Sequence, residues 1–579
     1  MRLILDMVHH NPGEAPFTSA FTDPAHLRDY GFNGQVFKHL NTIATFPRAG
    51  VDCFPAGTPE AAWLESFTRD RVTEIDAAVA QGLAVYIHLD LFVLPRRLVE
   101  FYRDEICDPV TGRILLDRPR TLDLHRQLFE ELTERFPQVA GYLIRVGETY
   151  LFDTPHHVGN GPIPRLGPSW TPTYGYDEVL AGSPAVDRFW TEAQVAAYQT
   201  LLTFLRQEVC ERQGRHLIFR TWDIFPDRLH ARLDHYRQVT DAIEPHERLW
   251  FSIKHTALDF WRHVRVNPCL GHGRHPQIIE VQCQREYEGK GAFPNYVMAG
   301  VIDGFTENAD RRGLADLMGS PLVRGVFTWS RGGGWYGPYC TSELWPDLNA
   351  FVIAGWVRDP ARGEAGWFQT YAQERLGLTL EDADRFRRLC LASAQAVLLG
   401  RHCATFDRHL HEAYLPTACW MRDDRLGGTT QLRPVLDHLV ARGTWPEALA
   451  EKAEAVARWQ VIVALADDIT WPDPATGAFV RVSCRYGLAL FRIVELGWRI
   501  LITGARAEAT GLCDRSALAA DLAAYAHAWS TYRALGTEDL CPSLYRGEYF
   551  SLPGAAPEPG LHAAVQTIAA TWCPESAHA

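Results

Sequence analysis

The stretch PQIIEVQCQREYEGKG, Pro276–Gly291, alternates apolar and polar residues as far as Gln284 and then breaks into Arg285-Glu286-Tyr287-Glu288. Successive side chains of a strand point to opposite faces. Ile279, Val281 and Cys283 therefore share one face, and Glu280, Gln282 and Gln284 the other. A strand with one apolar face and one lined by amides and carboxylate fits the wall of a barrel. Its outer face packs on helices, its inner face lines the lumen, and Glu286 emerges at the mouth, with Glu288 left in the loop beyond.

Seven further runs of this kind precede or follow it: LILDMV (3–8), FNGQVFK (32–38), LAVYIHLD (83–90), VAGYLIRVG (139–147), HLIFRTW (216–222), RLWFSIK (248–254) and VRGVFTWS (323–330). Eight strands are enough to close a barrel. Helical patterns lie between several of them, such as PEAAWLESFTRDRVTEIDAAVAQG before the third and TLDLHRQLFEELTERF before the fourth. Strands alternating with helices imply parallel crossovers, so the fold class predicted is α/β, a (β/α)8 TIM barrel over residues 1–350. Past about residue 350 the strand signals stop. Runs such as WPEALAEKAEAVARWQVIVALADD have helical periodicity, which predicts a mainly α-helical C-terminal domain over 351–579. The long insertion after the fourth strand, residues 152–186, is placed to wall an active site.

Composition narrows the function classes. The chain has 579 residues, a net charge of −13 and no basic cluster, which argues against nucleic acid as partner. The apolar run YGLALFRIVELGWRILITG is interrupted by Arg492, Glu495 and Arg499 at helical spacing, as in an amphipathic core helix. MRLILDMVHH is too short and too polar for a signal segment, so no membrane partner and a cytoplasmic location are expected. The thirteen cysteines are scattered with no C-x-x-C pair, as expected of buried free thiols. Basic residues are nearly all Arg, with lysine only at 38, 254, 290 and 452. A Lys kept in such a chain suggests a site needing a compact point charge.

In such a barrel, functional residues sit at the C-terminal ends of strands. The polar residues there are Asp6 with His9 and His10, Lys38 and His39, His88 and Asp90, Arg145 and Glu148, Arg220 and Trp222, Lys254 with His255 and Asp259, Arg285 and Glu286, and Trp329 with Arg331. Carboxylates on separate strands facing one mouth, with bases and indoles among them, suit glycoside hydrolysis. Each has a structural alternative. Glu148 could pair with Arg145, Asp259 could cap a following helix, Glu280 with Gln282 and Gln284 could form an internal network, and the indoles of Trp222, Trp329 and Trp335 could simply pack the barrel top. A metal-dependent hydrolase using His9, His10, His88 and Asp90 is the rival chemistry. Adjacent strand His point to opposite faces, so one ion could not easily take both, and no metal ligands are assigned.

LWFSIKHTALDF (249–260) followed by IIEVQCQREYEG (278–289) resembles the catalytic barrel of the glycoside hydrolase family 67 α-glucuronidases. LIFRTWDIFPD is similar to that family's strand-five Arg motif, VAGYLIRVGETY to its strand-four segment bearing the acid, and YGFNGQVFKH and AQGLAVYIHLDLFVLP to its second and third strands. Where the family carries Lys-Ala-Asp-Ser-Glu-Gly, this chain has Ile144-Arg145-Val146-Gly147-Glu148-Thr149. The resemblance implies Glu148 as general acid, with Asp259 and Glu286 as carboxylates that polarise the attacking water. It implies Arg220 and Lys254 as holders of a uronate carboxylate. His88, Asp90, Trp222, Tyr287, Trp329 and Arg331 are the further substrate-binding residues expected. The activity implied is cofactor-free, exo-acting release of a terminal α-linked glucuronic or related uronic acid from an oligosaccharide, with inversion. An exo-glycosidase for a neutral sugar and a non-catalytic carbohydrate-binding barrel are the alternatives. The partners expected are the oligosaccharide and a second copy of the chain met through the helical C-terminal region.

Overall fold

The computed structural model describes residues 2–9, 17–110, 112–115, 118–146, 154–160, 190–222, 229–308, 310–333, 337–407, 429–545, 549–550 and 558–574. Eight parallel strands close into a barrel in chain order: β1 (Leu3–Val8), β2 (Gly34–Lys38), β3 (Ala84–Asp90), β4 (Gly141–Arg145), β5 (His216–Arg220), β6 (Leu249–Lys254), β7 (Gln277–Gln282) and β8 (Val323–Arg331). β8 returns to pair with β1, Phe327 opposite Leu5. Each strand lies within one of the eight runs, to within a residue at its end.

The lumen is layered by the two-residue period of the strands. Leu5, Val36, Tyr86, Leu143, Ile218, Ile278 and Phe327, from seven strands, form an apolar plug against which Trp250 of β6 packs. Two positions further along the same faces come Met7, Lys38, His88, Arg145, Arg220, Ser252, Glu280 and Trp329. The lumen therefore turns from oil to charge within one layer. The alternate positions, among them Ile87, Ile144, Phe219, Phe251, Ile279, Val281 and Cys283, join the large core shared with the surrounding helices. Burying one such Ile or Phe contributes about 1.5–3 kcal/mol, and truncating Phe219 to Ala would cost about 3–5 kcal/mol.

The longer helices are α1 (Pro24–Tyr30), α2 (Pro59–Ala80), α3 (Pro119–Arg135), α4 (Glu192–Leu205), α5 (Leu233–Thr240) and α6 (Leu344–Arg358), then α7 (Gly363–Thr370), α8 (Leu380–Arg401), α9 (Thr429–Arg442), α10 (Trp445–Asp468), α11 (Pro474–Thr510), α12 (Arg515–Leu535) and α13 (Leu561–Trp572). α1, α2 and α11 start alike. A capping Asp23, Thr58 or Asp473 accepts from a first-turn N–H, and proline follows at the first helical position, where no N–H is needed. Between β6 and β7 the chain, residues 255–276, forms turns and no α-helix, so Asp259 caps none. α6 runs unbroken across residue 350. No described helix is long and apolar enough to cross a membrane. The twelve described cysteines form no disulfide among the described residues, and all but Cys513 and Cys541 are buried.

The C-terminal helices dock on the loops that leave the barrel's C-terminal face. Phe293, in the loop after β7, packs its ring 5.5 Å from Trp459 of α10 and 5.7 Å from Phe491 of α11. After β8, Tyr339 N–H donates to Ser543 Oγ (2.7 Å) and Thr341 Oγ1 to Leu540 O (2.6 Å). Every residue from Cys283 to Met298 is buried as a result. The helical region thus fixes the loop that carries Glu286.

Candidate active site

Glu280, first of the polar inner face of β7, is fully buried and accepts from Arg220 Nε at 2.8 and 3.0 Å and from Ser252 Oγ at 2.8 Å. Arg220 also lays its guanidinium over the Trp329 ring, 4.9 Å from its centre. This is the internal network that was the structural alternative for Glu280. One strand over, Lys254 Nζ donates to Asp259 at 2.5 Å and stands 3.7 Å above the Trp222 ring and 4.8 Å from that of Phe260. A cation between two aromatic faces and a carboxylate is held electrostatically on three sides. Asp259 keeps about a fifth of its side chain exposed, in contrast to its lysine.

Glu286 is placed by backbone. Its N–H donates to Gln282 Oε1 (2.6 Å), and Gln282 Nε2 donates to Gly332 O (3.0 Å). Gln284 accepts from Gly332 N–H and donates to Lys290 O (3.0 Å). Gln282 and Gln284 therefore knit the turn after β7 to the turn after β8. Gly333, at φ +93°, lies so close that a Cβ there would sit 2.4 Å from Glu286 Oε2 and 2.4 Å from Gln282 Nε2. Only glycine fits under that carboxylate. Tyr287 packs against Trp261 (4.9 Å) in a small apolar cluster with Trp222, Leu258 and Leu398, the last contributed by α8.

The remaining predicted residues divide between the site and its foundations. Asp90 has both oxygens on Arg145, at 2.6 and 2.8 Å, and lies 3.6 Å from His39. It is fully buried, and Arg145 occupies both of its oxygens. Arg331 bonds Cys340 Sγ and Glu343, and its guanidinium covers the Phe17 ring at 3.7 Å; it braces the chain before α1 against the start of α6. Asp6 faces outward from the barrel, because Leu5 and Met7 face in. It accepts from Thr328 Oγ1 (2.6 Å), Ser330 N (3.0 Å) and Ser330 Oγ (2.7 Å), and burial pushes its carboxyl up to about 6. Glu288 lies in the loop after β7, as expected, and is buried there against Arg285 Nε (2.7 Å) and Arg262 N (2.6 Å). His9 stacks on Trp329. Glu148, His10, Trp335 and the insertion from 161 to 186 lie outside the described residues.

His88 is the buried polar group facing the lumen whose two ring nitrogens find no hydrogen-bond partner among the described residues. Burial, then Arg145 and Lys38, hold its pKa well below the ordinary imidazole value, so it is neutral. The indole N–H groups of Trp222, Trp261 and Trp329 are likewise buried and unpaired among the described residues. Buried donors without acceptors are costly unless something completes them. The indoles of Trp345, Trp459, Trp471, Trp498 and Trp529 are buried and unpaired among the described residues in the same way, so it is His88, open at both nitrogens and facing the lumen, that a hydroxylated ligand would complete. Sequence reasoning did not single out Phe260, the last residue of the quoted LWFSIKHTALDF, or Trp261 just beyond it, or Gly333. Leu398 comes from a distant helix and had no local signal.

No protein-family model matches the chain, and no curated protein does. Among solved structures, the chain is similar to a GH138 enzyme targeting pectin rhamnogalacturonan II, with a TM-score of 0.53, 12% identity, and coverage of 92% of this chain and 62% of that one. The chain thus spans less than two thirds of that enzyme's length, and the likeness is one of fold. A mutant O-GlcNAc hydrolase from Thermobaculum terrenum aligns over 92% of this chain and 94% of its own at a TM-score of 0.38 and 9% identity. A GH20 exo-β-N-acetylglucosaminidase from Vibrio harveyi aligns over 64% and 57% at 0.31 and 12% identity. The closed (β/α)8 barrel followed by helices is thus a fold similar to that of the GH138 enzyme.

Proposed function

We propose that the protein is an exo-acting glycoside hydrolase that removes a terminal α-linked uronic acid, glucuronic acid or a relative, from an oligosaccharide with inversion. The observation that carries the hydrolase reading is the placement of Asp259 and Glu286 in the turns after the adjacent strands β6 and β7, Asp259 held by Lys254 and Glu286 by Gln282 with Gly333 leaving it room. In this reading Glu148 protonates the leaving oxygen, while Asp259 and Glu286 orient and deprotonate water. The fold shared with an enzyme that targets a pectic polysaccharide is in keeping with it.

The uronide preference is supported by charge. The inward strand positions Lys38, Arg145, Arg220 and Lys254 carry four positive charges, and Asp90 and Glu280 carry two negative ones. Cations concentrated in the lumen layer below the rim carboxylates Asp259 and Glu286 favour an anionic ring that reaches down to them. A neutral sugar is the second reading, favoured by the partners Arg220 and Lys254 already hold in Glu280 and Asp259. The test is to incubate the protein with matched oligosaccharides capped by α-glucuronate or α-glucose and follow the released sugar by NMR. The proposal expects β-glucuronate as first product and no glucose. Equal turnover of both caps would sink the uronide claim, α-glucuronate as first product would sink inversion, and no product from any capped oligosaccharide would favour a binding barrel.

A further inference from the structure

The opposite end of the barrel carries a feature that glycoside hydrolysis does not use. At the N-terminal ends of β1, β2 and β8 lies a cleft of about 830 Å³ whose charged lining is Arg2, Arg28, Arg324 and Arg358, with no acidic residue; its other walls are apolar or uncharged. Among the described residues, none of the four arginines has a carboxylate partner. The chain as a whole carries −13. Four like charges gathered without counterions in a net acidic protein repel one another, and a bound anion would relieve them.

Two of the four are held in place. Arg2 donates from Nη2 to Met318 O (2.9 Å), and its own carbonyl accepts from Asn33 Nδ2 (2.8 Å). Arg358 lies between the Trp367 ring, 5.0 Å away, and Gly31, where an added Cβ would meet its Nη1 at 2.3 Å. Gly31 ends α1 in the left-handed region at φ +90° and leaves room for that guanidinium. Arg28 and Arg324 are exposed at the rim. Arg28 and Arg358 also stand in the last turns of α1 and α6, where a cation offsets the helix dipole. Two helix C-termini supply only about half a negative charge each, which leaves most of four positive charges unanswered.

We propose that this cleft binds a small polyanion, a molecule bearing two or more phosphate or carboxylate groups, through bidentate arginine contacts. The inference is independent of the reaction at the mouth. Isothermal titration in about 150 mM NaCl, where long-range attraction is largely screened, tests it with two probes, inorganic tripolyphosphate and a linear tri-uronate. Saturable one-to-one binding tighter than about 1 mM is expected for at least one probe, and which one identifies the phosphate or the carboxylate source. Arg28→Gln/Arg324→Gln should weaken it at least about tenfold while leaving the circular dichroism unchanged, and Lys254→Met, at the far end of the barrel, should retain it. Neither probe saturating by about 5 mM, unaltered binding in the arginine variant, or loss of binding in Lys254→Met would each overturn the proposal.

Discussion

Arg220 and Glu280 are both buried, and each would be intolerable without the other. Removing one partner of a buried ion pair leaves an uncompensated charge, at about 3–5 kcal/mol, whereas replacing both with apolar side chains of similar size is often near neutral. Arg220→Ala and Glu280→Ala should each lower unfolding stability in urea by about that much. Arg220→Met/Glu280→Met should lose far less than the sum, and additive losses would refute the pairing. Arg220→Ala is consequently a poor probe of uronate binding, because lost activity would report a damaged barrel. At the rim the limiting geometry is Gly333. In Gly333→Ala the new methyl must displace Glu286 or Gln282, and the backbone is strained at φ +93°. Turnover should fall about 100-fold, in line with misplacing a reacting group by an ångström, with KM changed less than kcat. Unaltered kcat would show that Glu286 does not act in the chemistry.

The strands were legible in the sequence because alternation is a local property. All eight runs became barrel strands, and the inner face of β7 is the amide and carboxylate face that Glu280, Gln282 and Gln284 predicted. What failed depends on distant partners. Glu288 lies in the loop as expected, but nothing nearby in sequence shows that α10 and α11 clamp Phe293 and bury the whole segment. Asp6 has the same origin: its polarity suggested the mouth, and the inward registration of Leu5 and Met7 turns it out toward β8. That placement gives the β1–β8 seam a pH dependence. With a pKa of about 6 in the folded chain and 3.8 as the ordinary value, the folded state keeps a proton that the unfolded chain has lost between those pH values. Ionisation therefore opposes folding, and stability is lost as pH rises from about 4 to about 6, by on the order of 2–3 kcal/mol. Asp6→Asn keeps the acceptor for Thr328 and Ser330 and cannot ionise. Urea unfolding should show the variant gaining on the wild type by on the order of 2 kcal/mol between pH 4.5 and 7, and a difference constant with pH would contradict the assignment.

At the scale of the whole chain, the two regions suggested by the sequence share one body of core. Among the described residues one cluster of buried side chains includes members from Ile4 to Cys573, and α6 crosses the change from strand-rich to helical sequence without a break. Polar contacts sew the same seam. Glu364 of α7 accepts from Arg387 of α8 at 2.9 and 2.6 Å and from the Tyr296 hydroxyl of the loop after β7, and Asp347 of α6 accepts from Tyr30 (2.8 Å) and Tyr371 (2.7 Å). Regions joined by a small polar interface would unfold separately, whereas a shared apolar core couples them. Calorimetry should therefore show one unfolding transition. Glu364→Ala, which leaves Arg387 and the buried Tyr296 hydroxyl without their acceptor, should move that whole transition down by about 3 kcal/mol of stability and not split it. A low-temperature transition with the barrel still folded would mean that the helices are an appendage. In that case the burial of the Glu286 loop beneath them would not be what holds the site together, and activity would survive the first transition.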